Sequence, residues 1–317
     1  MSLQQHEIKL HNGAREFTTL TNLTQTAITQ QKFDRVIFLL HGFPDVNTTF
    51  NKAWPYLVAH YQTRNETVLL LAPKLRGYEP SSVGPEHEYM LPCIADDVKC
   101  WIHEVIQGEG DKPVHLLGHD WGAIVAFKVA NLYPELVASI ACLAIPYLAN
   151  LHVWELAWFA PEQIYMSSYF LTMQYGWLYR GKLLGNDGGD DYLRRLWRYW
   201  SPGYDASQGE IKEIRDEFRK EGVVDAVTAY YRHLFRPVSL WKSRWAVDFA
   251  KVPALIMCGE DDGCMSKRIL QYEEKKLKAD YPRAQVKLLP KAGHFLQREQ
   301  PKAVAELVTD FFDSFAK

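Results

Sequence analysis

Apolar and polar positions fall into two alternating rhythms along this chain. Continuous apolar runs at 35–40, 67–71, 114–117, 139–145 and 252–258 are bounded by glycine, proline or acidic residues and read as buried strands. Between them, apolar residues recur at helical spacing around 50–61, 91–106 and 123–132. In the second of these, Ile94, Val98, Trp101, Ile102 and Val105 form the apolar face, and Asp96 and Asp97 are also carried there. Residues 7–10 and 16–23, split by the turn signal Asn12-Gly13, predict two edge strands, and 285–289 predicts a last strand before an amphipathic helix at 303–315. Strands that alternate with helices and are apolar throughout predict an α/β fold with a mostly parallel, doubly covered sheet.

From Tyr147 to Trp245 the rhythm changes to helical patterns without a convincing strand. The expected organisation is a core domain of residues 1–147 and 246–317, with a helical cap (lid) of residues 148–245 inserted after the sixth strand. Such a lid would lie over the carboxyl ends of the strands, where open α/β sheets bind ligands. The acidic, glycine-rich run 185–191 lacks the spacing of a calcium loop and reads as a solvated turn. Most of the ten tryptophans fall in or beside the lid, where they pack helices or line an apolar cleft.

Composition narrows the classes. A chain of 317 residues, 47% hydrophobic and 23% charged, is long enough for a large globular core. A net charge of -2 gives no footing for nucleic acid or an anionic membrane, and no apolar run approaches the roughly 18 residues of a membrane span. Five cysteines, an odd number without a C-x-x-C pair, favour a reducing compartment, with Cys142 and Cys258 as small buried thiols. The opening residues 1–7 have no apolar core, and Ser314-Phe315-Ala316-Lys317 is neither a retention nor a peroxisomal address. A cytoplasmic monomer or homodimer is expected.

The candidate chemistry centres on Gly118-His119-Asp120-Trp121-Gly122, between a strand run and a helix pattern. This is the strand–turn–helix setting of a nucleophile elbow, G-x-S-x-G, with Asp120 in the serine's place. A serine needs a base before it attacks, whereas an aspartate is already ionised at neutral pH. Carboxylate nucleophiles suit attack on saturated carbon and leave an alkyl ester on the protein. In that fold class an acid and then a histidine follow the nucleophile. The strand ending at Ile145 offers no acid, but Gly259-Glu260-Asp261-Asp262-Gly263 offers three carboxylates. Asp262, furthest past the strand, is the expected acid, while Glu260 and Asp261 serve the turn or solvent. His294, in the loop after the last strand, is the expected base. The amides of Phe43, in His41-Gly42-Phe43-Pro44, and of Trp121 are the expected oxyanion hole. His41 is expected to hold its loop by hydrogen bonds, and His119 to be a satisfied buried histidine.

Together with Arg76-Gly77-Tyr78 and Gly293-His294, these motifs make the sequence resemble the α/β-hydrolase-fold epoxide hydrolases over nearly the whole core. The resemblance implies hydrolysis of an apolar epoxide to a vicinal diol by way of an ester on Asp120. The partners are then a small apolar epoxide and water, with no cofactor and no metal. It also implies two cap tyrosines that bind the epoxide oxygen and protonate it. Ala229-Tyr230-Tyr231-Arg232 points to Tyr231, and Ser167-Ser168-Tyr169 points to Tyr169. Leu171 and Thr172 depart from the family's aromatic pattern there, so Tyr165 remains a rival. Haloalkane dehalogenases share the Asp-Trp step, but a leaving halide needs N–H donors rather than phenols, and the Phe43 side chain donates nothing. A non-catalytic small-molecule receptor is the third reading. A complete set of nucleophile, acid and base is more than a binder needs.

Overall fold

Eight strands form one sheet in the order β1-β2-β4-β3-β5-β6-β7-β8 in a computed structural model. They are β1 His6–Asn12, β2 Arg15–Thr21, β3 Arg35–Leu40, β4 Val68–Pro73, β5 Val114–His119, β6 Ser139–Leu143, β7 Ala254–Gly259 and β8 Ala284–Leu289. The structure describes residues 4–107, 112–147, 149, 153–184, 189–234 and 245–315. From β4 to β8 neighbouring strands are parallel, and β1 and β2 add on antiparallel.

Strand residues alternate between the two faces. Val36, Phe38 and Leu40 of β3 enter one core with Leu116 of β5, whereas Ile37 and Leu39 enter the other with Leu117. The helices α1 Gln25–Thr29, α2 Trp54–Gln62, α3 Leu91–Val105 and α4 Trp121–Leu132 follow in the first half of the core. Trp101 of α3 and Phe127 of α4 fill the first layer. Trp54 and Leu57 of α2 lie in the second. Ten consecutive residues of α4, Trp121 to Ala130, are buried. A helix apolar on nearly every side is an interior helix, so the elbow stands on a rigid pillar.

The second strand departs from expectation. Residues 16–23 read as an edge, but β2 lies between β1 and β4. Thr18, Thr19 and Thr21 of this strand are buried. Thr19 donates to the carbonyl of Phe17, and the backbone amide and hydroxyl of Thr18 both donate to the Glu79 carboxylate. Hydroxyls satisfied in this way can enter a sheet interior.

Between β6 and β7 lie α5 Val153–Phe159, α6 Glu162–Met166, α7 Tyr169–Met173, α8 Gly176–Leu184, α9 Gly189–Trp200, α10 Gln208–Phe218 and α11 Val223–Leu234. No strand occurs among the described residues of this stretch. Residue 148 and residues 241–244, next to the two expected domain boundaries, lie outside the described residues, as does 185–188 of the expected acidic turn. Ser207 starts α10 through a capping box with Glu210. After β7 come α12 Lys267–Asp280, α13 Leu296–Glu299 and α14 Pro301–Asp313. Val304, Val308 and Phe312 of α14 close the second core.

Candidate active site

The turn after β3 is fixed before it meets the Asp120 carboxylate. His41 Nε2 accepts the Leu75 amide at 3.0 Å, and its ring packs edge-on against Tyr78 at 4.4 Å. Burial pushes this imidazole down to about 4, so it remains a neutral acceptor. The Tyr78 hydroxyl donates to the Gly42 carbonyl at 3.3 Å. The Phe43 amide then donates to Asp120 Oδ1 at 2.7 Å. A Cβ on Gly42 would collide with that same carboxylate oxygen, so only glycine allows the approach.

Asp120 itself sits at φ 51°, ψ -117°, a conformation costly for any residue with a side chain. Its amide bonds to the Leu143 carbonyl at 3.1 Å, tying the turn to β6. Gly122 lets α4 press against the end of β3, since a Cβ there would overlap the Leu40 carbonyl. Trp121 opens α4, but its amide makes no hydrogen bond to the Asp120 carboxylate. Of the two amides, that of Phe43 is the one bonded to the carboxylate.

Asp262 and His294 converge on Asp120 from the loops after β7 and β8. His294 Nδ1 donates to Asp262 Oδ2 at 3.0 Å, and Nε2 lies 3.7 Å from Asp120 Oδ2. The other Asp262 oxygen accepts the amides of Cys264 and Met265 at 2.6 and 2.9 Å. Asp261 and Glu260 are exposed, so of the three carboxylates only Asp262 faces the histidine. Burial alone would push His294 down. The Asp262 charge, reinforced by Asp120, overrides it and raises the imidazole to about 10. His119 is buried beneath the site and donates from Nε2 to the His294 carbonyl at 3.0 Å. Burial drives it down to about 3. It is only half satisfied, because Nδ1 has no hydrogen-bond partner.

The cap helices supply the opposite wall. Tyr231 of α11 is 1% exposed and packs edge-on against Trp121 at 4.9 Å and Phe43 at 5.5 Å. Its hydroxyl makes no hydrogen bond, although the Trp121 indole approaches it. Tyr169 of α7 lies 5.9 Å from Tyr231, ring to ring, and 5.4 Å from Trp200. Both phenols are pushed well above their ordinary range by burial first, with Asp120 adding to it, and so keep their protons. Tyr165, the rival, is 75% exposed. The structure therefore brings Tyr169, and not Tyr165, to Tyr231 and Asp120.

Several contacts around the site had no signal in the sequence. The Trp200 carbonyl, at the end of α9, accepts the amides of both Gly263 and His294 at 3.1 and 3.0 Å. The hydroxyl of Ser201 donates to Glu299 at 2.7 Å and accepts the Phe295 amide at 3.0 Å, while Glu299 accepts the Gly293 amide. Arg298 forks onto Asp45 at 3.0 and 2.7 Å and reaches Glu210 of α10 at 2.8 Å. These bonds hold the cap to the loops that carry the acid and base. Among the described residues no three His, Cys, Asp or Glu side chains are arranged to hold a metal ion, and no helix is long and apolar enough to cross a membrane.

A sequence profile of the alpha/beta hydrolase fold matches residues 35–301. Epoxide hydrolase 4 of Homo sapiens is 26% identical over 283 residues, covering 87% of this chain and 72% of that protein. The crystal structure of an epoxide hydrolase from Vigna radiata is similar with a TM-score of 0.76 and 18% identity, over 99% of this chain and 100% of that one. That of potato (Solanum tuberosum) epoxide hydrolase I gives 0.72 and 21%, over 98% and 100%. At these identities the structural likeness is one of fold.

Proposed function

The chain belongs to the alpha/beta hydrolase fold family, and from that premise we propose that it hydrolyses an apolar epoxide to a vicinal diol through an ester on Asp120. The observation that carries this reading is a buried carboxylate at the elbow faced by two protonated phenols, Tyr231 buried and Tyr169 partly buried. The name of the human relative agrees with it.

Asp120 Oδ1 is held by the Phe43 amide, so Oδ2 is the oxygen free to attack. It approaches a ring carbon from the side opposite the C–O bond, which breaks. Tyr231 and Tyr169 hydrogen-bond the departing oxygen, and one phenol gives up its proton to it. An alkoxide leaves badly from saturated carbon, and the phenols remove that obstacle. Oδ1 is now the carbonyl oxygen of an ester.

Hydrolysis needs a base. Once Asp120 is esterified its negative charge is gone, and one of the influences raising His294 goes with it. His294, protonated in the resting site, first gives its proton to the phenolate left by ring opening. The neutral imidazole, oriented by Asp262, then takes a proton from water, and the hydroxide adds to the ester carbonyl. The resulting oxyanion forms on Oδ1, against the Phe43 amide. Collapse releases the diol and restores the carboxylate, and the proton taken from water leaves His294 protonated as it began. Overall one water is added and no other reactant is consumed.

Incubation with aryl, alkyl and fatty epoxides beside haloalkanes, scoring diol and halide together, tests the reading. Diol without halide is expected. Halide release without diol would assign the same nucleophile to dehalogenation, and turnover of neither would leave a binding protein.

A further inference from the structure

The two lid phenols are not equivalent. The Tyr231 hydroxyl has no hydrogen-bond partner, whereas the Tyr169 hydroxyl has one among the described residues, the thiol of Cys264 at 3.6 Å. That thiol is 2% exposed and is held from both sides. On the core side, Asp262 Oδ1 accepts the Cys264 amide at 2.6 Å. On the lid side, Gln163 of α6 donates to the Cys264 carbonyl at 3.0 Å and accepts the Ser266 amide at 2.8 Å. The residue that braces the acid loop is thus also the one whose side chain meets the phenol. Asp120, Asp262, Tyr169 and Tyr231 are among the titratable groups around it, with Tyr179, Tyr199 and Cys258. Burial, with the Asp262 and Asp120 carboxylates, pushes the thiol well above its ordinary value, so it stays an S–H and can donate.

We propose that Cys264 is a positioning residue for Tyr169, donating its S–H to the phenol oxygen so that the phenol's own O–H is directed at the epoxide oxygen. The proposal rests on the epoxide-hydrolase reading for its consequence, but not for the contact itself. In the first step the Asp120–carbon bond forms, the ring C–O bond breaks, and the phenol proton moves to the ring oxygen. If Tyr169 is the phenol that delivers it, a phenolate is left in a buried pocket where an unmet charge is costly. The thiol is the donor placed to meet it. The Trp121 indole approaches the Tyr231 hydroxyl in the corresponding way, so Cys264 is the donor particular to Tyr169. A small thiol that merely fills space would neither direct the phenol nor meet its charge.

Two measurements on the full chain decide the matter. The infrared S–H stretch, isolated as wild type minus Cys264→Ala, should lie at the lowered frequency of a hydrogen-bonded donor and rise when Tyr169 is replaced by phenylalanine. A band that Tyr169→Phe leaves unmoved overturns the proposal, whether or not the protein opens epoxides. In single turnovers followed by tryptophan fluorescence, Cys264→Ala should slow ester formation about tenfold with substrate binding unchanged, the loss expected for one net hydrogen bond. Cys264→Ser, which keeps a donor, should recover most of that rate. A native rate in Cys264→Ala, or a serine variant as slow as the alanine one, also overturns it. If Cys264→Ala folds poorly, Cys264→Val serves as the donor-free variant.

Discussion

Tyr230 and Tyr231 are neighbours on one helix, yet their hydroxyls have different fates. That of Tyr230 donates to the Arg76 carbonyl at 2.7 Å, while that of Tyr231 makes no hydrogen bond and sits beside Trp121. A step of one residue turns a helical side chain by about 100°, so only one of the pair can face Asp120. Arg76 is itself fixed by Asp97, which accepts from its guanidinium at 2.7 and 2.5 Å. Tyr230 therefore ties the lid to a rigid loop, and Tyr231 is left for a ligand.

Replacing these phenols should separate the two roles. Tyr231→Phe should slow ester formation, and the double variant with Tyr169→Phe should lose on the order of 10²–10⁴ of the rate, as for a positioned general acid. Tyr230→Phe should instead lower the melting temperature and spare the chemistry. Rapid-mixing kinetics on the three proteins measure this. A double variant opening epoxides at the native rate would remove the phenols from the mechanism.

The choice among the three clustered carboxylates is also testable. Asp262→Asn should stall ester hydrolysis, because His294 loses its partner at 3.0 Å. Asp261→Asn should be nearly silent, its side chain being exposed. Steady-state rates with ester accumulation give the comparison, and the reverse pattern would move the acid to Asp261.

His294→Gln should open one equivalent of epoxide and then stop, since Asp120 needs no base to attack. Intact-protein mass spectrometry should show a gain equal to the substrate mass, on the peptide that contains Asp120. In a single wild-type turnover in ¹⁸O-water, the label should enter Asp120 and not the first diol. Labelled diol with unlabelled protein would mean that Asp120 acts as a base towards water.

The imidazole predicts two pH effects. Its folded value, about 10, lies above the ordinary 6.5. A raised value contributes stability in full below 6.5, and that contribution is lost as the pH rises through about 10. The melting temperature of the wild type should therefore fall more across that window than that of His294→Gln. In addition, Asp120→Asn, which removes the charge as esterification does, should lower the His294 midpoint seen by NMR. An unchanged midpoint would contradict the charge coupling on which the hydrolytic step depends.

The strands and the placement of the candidate carboxylate were readable for the same reason: each depends on local pattern. A continuous apolar run such as 35–40 has no alternative to burial, and Asp120 between Gly118 and Gly122 announces a tight turn with a carboxylate at its tip. Asp262 was separable from Asp261 by its position in the loop. What escaped depends on residues far apart in the chain. Nothing near Ser201 announces a bond to Glu299, and a backbone carbonyl such as that of Trp200 leaves no trace in the identity of its residue. The contact of Gln163 with Cys264 spans 101 positions. The placement of β2 failed differently, because threonine reads as polar although its hydroxyl is easily satisfied within the chain. Tyr165 and Tyr169 stayed open because Leu171 and Thr172 break the aromatic pattern that would mark Tyr169, and four residues apart in one unbroken helix the two would face the same side. Instead α6 ends at Met166 and α7 starts at Tyr169, and the break turns them apart.

The Trp200 carbonyl that receives the loops of Gly263 and His294 has a consequence for how such a protein can diversify. Added turns in α9 would shift its last residue and displace histidine and acid together, so lengthening there is a poor route to a roomier pocket. In the segment from α5 to α8 the Gln163 tether reaches the acid loop but not the histidine loop, and the segment bears much of the exposed aromatic surface, including Trp158 and Trp177. Lineages changing substrate would remodel that segment first and leave the end of α9 as a fixed pivot. A graft of this lid onto a foreign core would have to carry the loops of Gly263 and His294 along with it.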